Sequence, residues 1–137
     1  MEITRRADLA VRAMVLLGAA PVRWKAPALA EALDTTTGFV PQVVGPLVKA
    51  GWVRSEPGPT GGYVLAVPLT DVNVLQVVEA IDGDTDTGRC VVEARDCSSI
   101  TPCALHRAWS RARDELMRSL AATPLATLLP VNGQGVR

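Results

Sequence analysis

The sequence contains no apolar run approaching the ~20 residues needed to cross a bilayer. It has no net charge, one histidine, and no cysteine outside residues 90–103. Each absence excludes something. The first excludes a membrane-spanning helix. The second, 14 basic against 14 acidic side chains, means that charge alone does not point to nucleic acid. There is no CxxC pair and no catalytic pair, which argues against a small redox enzyme using Cys103 as nucleophile. No internal repeat and no low-complexity tract is present. The opening MEITRRADLAVR carries acidic residues and runs straight into a periodic segment, unlike a signal peptide. A cytoplasmic, reducing compartment is the resulting expectation, where clustered cysteines act as metal ligands or redox groups rather than structural disulfides.

What is present is a chain of 137 residues, 48% hydrophobic, enough for one core. Its charge is unevenly spread. Residues 1–70 hold seven basic side chains (Arg5, Arg6, Arg12, Arg23, Lys25, Lys49, Arg54) against five acidic ones, an excess of +2, and the remainder carries −2. That asymmetry suits a phosphate-facing N-terminal half.

Periodicity lays out the elements. Ala10, Ala13, Met14 and Leu17 fall at i, i+3, i+4, i+7 and predict a helix over 4–19, with Gly18 and Pro21 as its stop. A short helix is expected over 27–33, Pro27 in its first turn and Leu29, Ala32 and Leu33 inward. Asp34-Thr35-Thr36-Thr37-Gly38 is turn chemistry. A third helix, 39–50, places Val40, Val43, Val44 and Leu47 inward and ends at Gly51. Gly45-Pro46 inside it is anomalous: an interior proline costs ~3 kcal/mol, so a kink or tightened last turn is expected. Two short strands follow, around Trp52-Val53-Arg54 and Tyr63-Val64-Leu65, joined by the turn-rich SEPGPTGG. Thr70 is expected to cap a fourth helix lined by Val74, Val77, Val78 and Ile81 and closed by Gly83. Residues 84–100 show no period and read as a loop. A long last helix is expected from Thr101 and Pro102 to about Ala122, its stripe made of Leu105, Trp109, Ala112, Leu116 and Leu120. Thr123-Pro124 opens a short final helix. The fold class is therefore mainly α: a winged helix-turn-helix with a two-stranded wing and a long C-terminal dimerisation helix. The expected units are a DNA-binding domain (1–70), a connecting helix with a cysteine loop (71–100), and a dimerisation helix with its tail (101–137).

Two constellations carry chemistry. Cys90, Cys97 and Cys103 are spaced C-x6-C-x5-C. Three soft thiolates offer a metal centre one ligand short of four, and the wide gaps suit a centre larger than one ion better than a compact zinc knuckle. Cys103 falls in the expected first turn of the last helix, where a thiolate is favoured. The bland alternative is three idle thiols. For a fourth ligand His106, three residues after Cys103, and Asp8, from the first helix of a second copy, both qualify. Asp8 also suits a salt bridge to Arg12 at i+4. The other constellation is a DNA-reading surface. Gln42 and Lys49 lie opposite the apolar face of the third helix, with Thr35, Thr36, Thr37 and Gly38 at its mouth. Gln pairs bidentately with adenine, threonine methyls meet thymine methyls, and helix-start N–H groups suit phosphate. Arg54, Thr60 and Gly61 belong to the wing. The apolar stripe of the last helix is too long for one small core. It implies packing against its copy, as in two-fold regulators on double-stranded DNA operators.

ITRRADLAVRAM, VVGPLVKAGWVRSEPGPTGGYVLAVP, VNVLQVVEAIDG and the three cysteines together resemble the Rrf2 family of bacterial winged-helix regulators, over roughly residues 1–128. The resemblance implies a homodimeric, DNA-binding transcriptional regulator, a repressor by expectation. It implies an iron–sulfur cluster, [4Fe–4S] favoured over [2Fe–2S], on Cys90, Cys97 and Cys103, lost or modified in response to nitric oxide or redox status. Nitric-oxide-sensing members carry an aspartate in a context similar to ADLAVR, implying Asp8 as fourth ligand. Other members use a histidine three residues past the last cysteine, matching His106. The D-L-A-x-R context favours Asp8. The first cysteine gap is one residue longer than is usual, and Gly45-Pro46 is unusual for the family's recognition helix. The alternative is a cofactor-free or zinc-stabilised winged-helix regulator.

Overall fold

A computed structural model describes residues 3–84 and 104–129 of the chain. The first helix, α1 (Arg5–Ala19), begins where the Thr4 hydroxyl accepts from the Ala7 N–H at 3.1 Å. That bond satisfies one of the donors a helix start leaves without partners. Ala7, Leu9, Ala10, Ala13, Met14, Val15 and Leu17 are all buried, so α1 is covered around most of its circumference. Gly18 is not the stop expected from the sequence, because α1 continues through it to Ala19. Its hydrogen faces Leu69, and a Cβ there would lie 2.4 Å from Leu69 Cδ1. Close packing, not termination, requires this glycine.

The second helix, α2 (Ala26–Ala32), starts at Lys25 with Pro27 in its first turn. Leu29, Ala30 and Leu33 face inward, whereas Ala32 is exposed, one position off the expected pattern. Asp34 ends the turn with φ 55°, a left-handed conformation that Asp tolerates better than most residues. A 3₁₀ turn at Thr37–Phe39 then leads into α3 (Val40–Lys49), so the third helix starts one residue later than expected. Val40, Val43, Val44 and Leu47 are fully buried. Burial of that face holds a continuous helix across Pro46 despite the bond its ring removes.

The wing is an antiparallel hairpin of β1 (Val53–Glu56) and β2 (Gly62–Leu65), Val53 opposite Leu65 and Glu56 opposite Gly62. Trp24 pairs with Tyr63 through both backbone bonds, at 2.9 and 2.8 Å, tying the α1–α2 connection to the wing as a third extended segment. Gly61 closes the tip by donating to the Gly58 carbonyl at 3.0 Å. A Cβ there would stand 1.9 Å from the Glu56 carbonyl oxygen.

Thr70 is not the cap of the next helix. It lies in a 3₁₀ turn, Leu69–Asp71, and α4 (Val74–Asp82) is capped by Asn73. Asn73 accepts from the Gln76 N–H while the Gln76 side chain accepts from the Asn73 N–H, both at 2.9 Å. This reciprocal capping box outcompetes a single threonine. Val77, Val78 and Ile81 are buried and Gly83 caps the end, as expected. The expected loop at 84–100 lies almost wholly outside the described residues, as do Thr101 and Pro102. Among described residues the last helix, α5, spans His106–Ala121. Ala104 and Leu105, expected to be helical, form the turn before it. A 3₁₀ turn, Leu125–Leu128, follows Pro124, its Leu125 N–H donating to the Val72 carbonyl at 2.9 Å. Leu125 joins the one core cluster, which also holds buried residues of α1 to α4.

Two stability outcomes follow. Asn73→Ala should lower unfolding stability by about 1 kcal/mol, the value of a lost cap, where Thr70→Ala should leave it within ~0.5 kcal/mol. Gly18→Val should cost about 1–3 kcal/mol by overpacking Leu69. Urea unfolding measures both.

Candidate nucleic-acid interface and metal-ligand positions

The buried side of α3 fixes what it turns outward. With four inward residues at helical spacing, Gln42, Gly45 and Lys49 point away from the core, and all three are exposed. Thr36, Thr37 and Gly38 are exposed beside the start of the helix, and Thr35 is half-buried. The Thr35 N–H donates to the Ala30 carbonyl at 2.9 Å, which packs this turn onto α2. The sequence-derived reading residues of the third helix thus lie on one surface. Among the wing residues Arg54 and Thr60 are exposed, whereas Gly61 is buried. The part Gly61 plays is in the shape of the tip.

Sequence reasoning missed the two basic residues that hold this wing. The Arg23 guanidinium pairs with the Glu56 carboxylate at 2.7 Å and donates to the Thr60 carbonyl at 3.2 Å. The Lys25 ammonium donates to the Pro59 carbonyl. Together with the Trp24–Tyr63 pairing, they set the position of residues 57–60 relative to α2. The available signal was the run Arg23-Trp24-Lys25, two cations around an aromatic between two helices. An open groove lies between α2 and the wing, lined by Lys25, Ser55, Glu56 and Tyr63 among others.

The first turn of α1 holds the end of α4. Thr4 donates to the Asp82 carboxylate at 2.8 Å, and Arg6 to the Ile81 carbonyl at 2.9 Å. A cation at a helix C-terminus completes carbonyls the helix leaves open and complements its dipole. Arg5, the neighbour of Arg6, donates to the Asp34 carbonyl at 3.3 Å in the turn before α3. The start of α1 therefore touches both the helix-turn-helix turn and the end of α4, eight residues before Cys90 in the sequence.

Of the expected metal ligands, Cys90, Cys97 and Cys103 lie outside the described residues. Asp8 lies in the first turn of α1, its carboxylate on Arg12 at 3.1 Å to Nη2 and 3.3 Å to Nε. His106 is the first residue of α5 and half-buried. No three His, Cys, Asp or Glu side chains converge on a point among the described residues. None of those residues forms a helix long and apolar enough to cross a membrane. Helix α5 buries no side chain: Trp109 and Leu120 of its stripe are half-buried, and Leu105 and Leu116 are exposed at 52% and 40%.

The same order of helices and hairpin is found in known proteins. Residues 3–130 match the family model Rrf2, described as an iron-dependent transcriptional regulator. A helix-turn-helix transcriptional regulator of Neisseria meningitidis is 30% identical across all of this chain and 95% of its own length. The transcriptional regulator IscR of Vibrio atlanticus is 29% identical over 96% of this chain and 77% of its own. Among solved structures, the oxidized form of CymR from Staphylococcus aureus superposes with a TM-score of 0.76, covering 98% of this chain and all of that one, at 24% identity. That last likeness establishes the fold alone. The family match and the full-length relatives, which are transcriptional regulators and not enzymes, establish more: this chain is a member of the Rrf2 family of winged-helix transcriptional regulators.

Proposed function

We propose that this regulator is a homodimeric repressor whose DNA affinity is set by an iron–sulfur cluster, [4Fe–4S] rather than [2Fe–2S]. In this reading Cys90, Cys97 and Cys103 of one protomer and Asp8 of the partner subunit are the ligands. One observation carries it. All three cysteines fall between α4, whose end is held by Thr4 and Arg6, and α5, which buries no side chain. A centre gripped there ties together the part of the chain that faces a second copy and the part that touches α1.

The donor set suits such a group. Three thiolates are soft ligands for iron–sulfur chemistry. A carboxylate is a harder fourth ligand that leaves one iron open to nitric oxide or oxidants. The Asp8 carboxylate is 41% exposed and held by an Arg12 that is itself 35% exposed. An ion pair this open is worth ~0–1 kcal/mol, so giving it up for a metal costs little. His106 remains the other ligand in reach of the sequence pattern, three residues past Cys103.

The DNA side follows from the exposed surfaces. Gln42 reads a base edge, Lys49 and Arg54 meet phosphates, Thr35, Thr36, Thr37 and Gly38 flank the entry, and the wing tip at Thr60 reaches the flanking groove, its turn shaped by Gly61. The units follow the sequence division: 1–70 binds DNA, 71–100 connects and carries two of the cysteines, 101–137 carries the third and dimerises. Loss of the centre relaxes the spacing of two half-site readers.

Protein made without air in iron-replete cells should contain iron and acid-labile sulfide, both lost in Cys97→Ala. A colourless protein with stoichiometric zinc in its place establishes the zinc-stabilised reading. Nitric oxide should lower operator affinity about 5–150-fold, the range of a coupling of ~1–3 kcal/mol. Asp8→Ala should reduce cluster content more than His106→Ala, and the opposite order makes the histidine the ligand. Leu116→Asp should yield monomers in sedimentation velocity and weaken DNA binding. An unchanged dimer sinks α5 as the interface.

A further inference from the structure

We propose that Arg23 is a positioning residue for DNA recognition: it holds the wing tip in the pose that meets the operator, and neutralises no phosphate itself. This rests on the reading of the tip at Thr60 as a DNA contact. The tip, residues 57–60, is exposed throughout. Pro57 and Pro59 bring no N–H to it, so it has few donors with which to fasten itself. Within the turn, the Gly61 N–H donates to the Gly58 carbonyl at 3.0 Å. Beyond the turn, its carbonyls accept from two cations of the α1–α2 connection: Thr60 from Arg23 at 3.2 Å, and Pro59 from Lys25.

Arg23 can set the tip because its own base is fixed. The next residue, Trp24, pairs with Tyr63 through both backbone bonds, at 2.9 and 2.8 Å. A Cβ on Gly62 would stand 2.8 Å from the Trp24 carbonyl oxygen, so the two segments lie as close as a glycine allows. From that base the guanidinium spans the hairpin end. Its Nε meets the Glu56 carboxylate at 2.7 Å, and its Nη1 donates to the Thr60 carbonyl. Glu56 ends β1 and Thr60 lies just before the chain returns into β2. One planar fork therefore fixes where the turn leaves and where it comes back. The same contact settles its charge: Glu56 cancels it at close range, so the pair offers a phosphate little net attraction. The two side chains are 53% and 32% exposed, and an ion pair this open adds little to folding stability. Its effect falls on placement, since a contact group held slightly out of position loses its partner while the fold stays intact.

The test uses the full-length protein and a duplex that it selects from a random library. Affinity is measured over about 50 to 200 mM salt, and minor-groove contacts by hydroxyl-radical footprinting. Arg23→Ala should weaken binding about tenfold and leave the slope of log affinity against log salt unchanged. It should lose protection beside the half-sites and keep it within them. Lys49→Ala, a phosphate contact by the same reading, should flatten that slope by about 0.9. Glu56→Ala removes a negative charge near DNA, yet should also weaken binding about tenfold, and the double variant should be no weaker than either single one. Circular dichroism should show the Arg23 and Glu56 variants melting within about 4 °C of wild type. A flatter slope for Arg23→Ala with tighter binding by Glu56→Ala makes Arg23 a phosphate contact and overturns the inference. So does a loss of protection spread evenly over the whole site. Unchanged affinity and footprint in Arg23→Ala also overturn it, while the wing reading stands, when replacing residues 57–60 with a tight Asn-Gly turn still weakens binding. If that replacement changes nothing either, the wing is no DNA contact and the inference falls with that reading.

Discussion

Burial of α1 around most of its circumference is the constraint on which the other elements depend. Ala7, Ala10 and Ala13 are small enough to let neighbouring elements come close, and Leu9, Met14 and Leu17 fill the space between them. A helix covered this way cannot rotate without opening several contacts at once, because packed interiors resist small shifts. Its polar residues are confined to the ends and one narrow side. Thr4, Arg5 and Arg6 at its start reach the end of α4 and the turn before α3. The proposed fourth ligand, Asp8, lies one turn on. The same rigid rod therefore carries the candidate sensor ligand and supports the reading helix.

Much of this was legible because burial imposes period. Val40, Val43, Val44 and Leu47 spell out the inner side of α3, and once that side is known, Gln42 and Lys49 must face out. The wing was legible from turn residues between two β-rich triplets. Most of the misses share a cause: they depend on a partner distant in sequence. Gly18 looks like a stop until Leu69 is seen against it. Ala30 and Ala32 are chemically equal, and only the neighbouring helices decide which is covered. Arg23 and Lys25 bond carbonyls about 35 residues away, and no local pattern announces that. Thr70 and Asn73 both satisfy cap chemistry. The difference was readable in Gln76, whose amide completes the box from three residues on.

The proposed metal site rests on chemistry in the sequence more than on geometry. Three cysteines within fourteen residues state a ligand type, and spacing alone leaves Asp8 and His106 as equals. The fold distinguishes their surroundings. Asp8 sits on the rod that touches the proposed reading head, and among the described residues its carboxylate pairs with Arg12 of its own helix. His106 opens a helix with no buried side chain. A ligand on α1 links metal occupancy to the DNA-binding half directly, whereas a ligand on α5 links it first to the proposed dimer contact. The proposed switch thus depends on which of the two is used, even though either completes the same coordination sphere.

Charge balance bears on what the proposed dimer contributes. A chain of zero net charge draws little non-specific attraction from DNA. Arg23 and Lys25, basic residues near the wing, are engaged with Glu56 and with wing carbonyls, so they act mainly on the shape of the tip. Lys49 and Arg54 are the exposed cations of α3 and β1. A single reading head that neutralises so few phosphates binds weakly at physiological salt, because each contact contributes through the counterions it releases. Joining two heads turns the second binding event into an intramolecular one, whose gain rests on matching the spacing of the half-sites. A weakly charged reader is therefore more dependent on its dimer geometry than a strongly basic one. For that reason the proposed cluster would control occupancy by acting on spacing, with no DNA contact of its own.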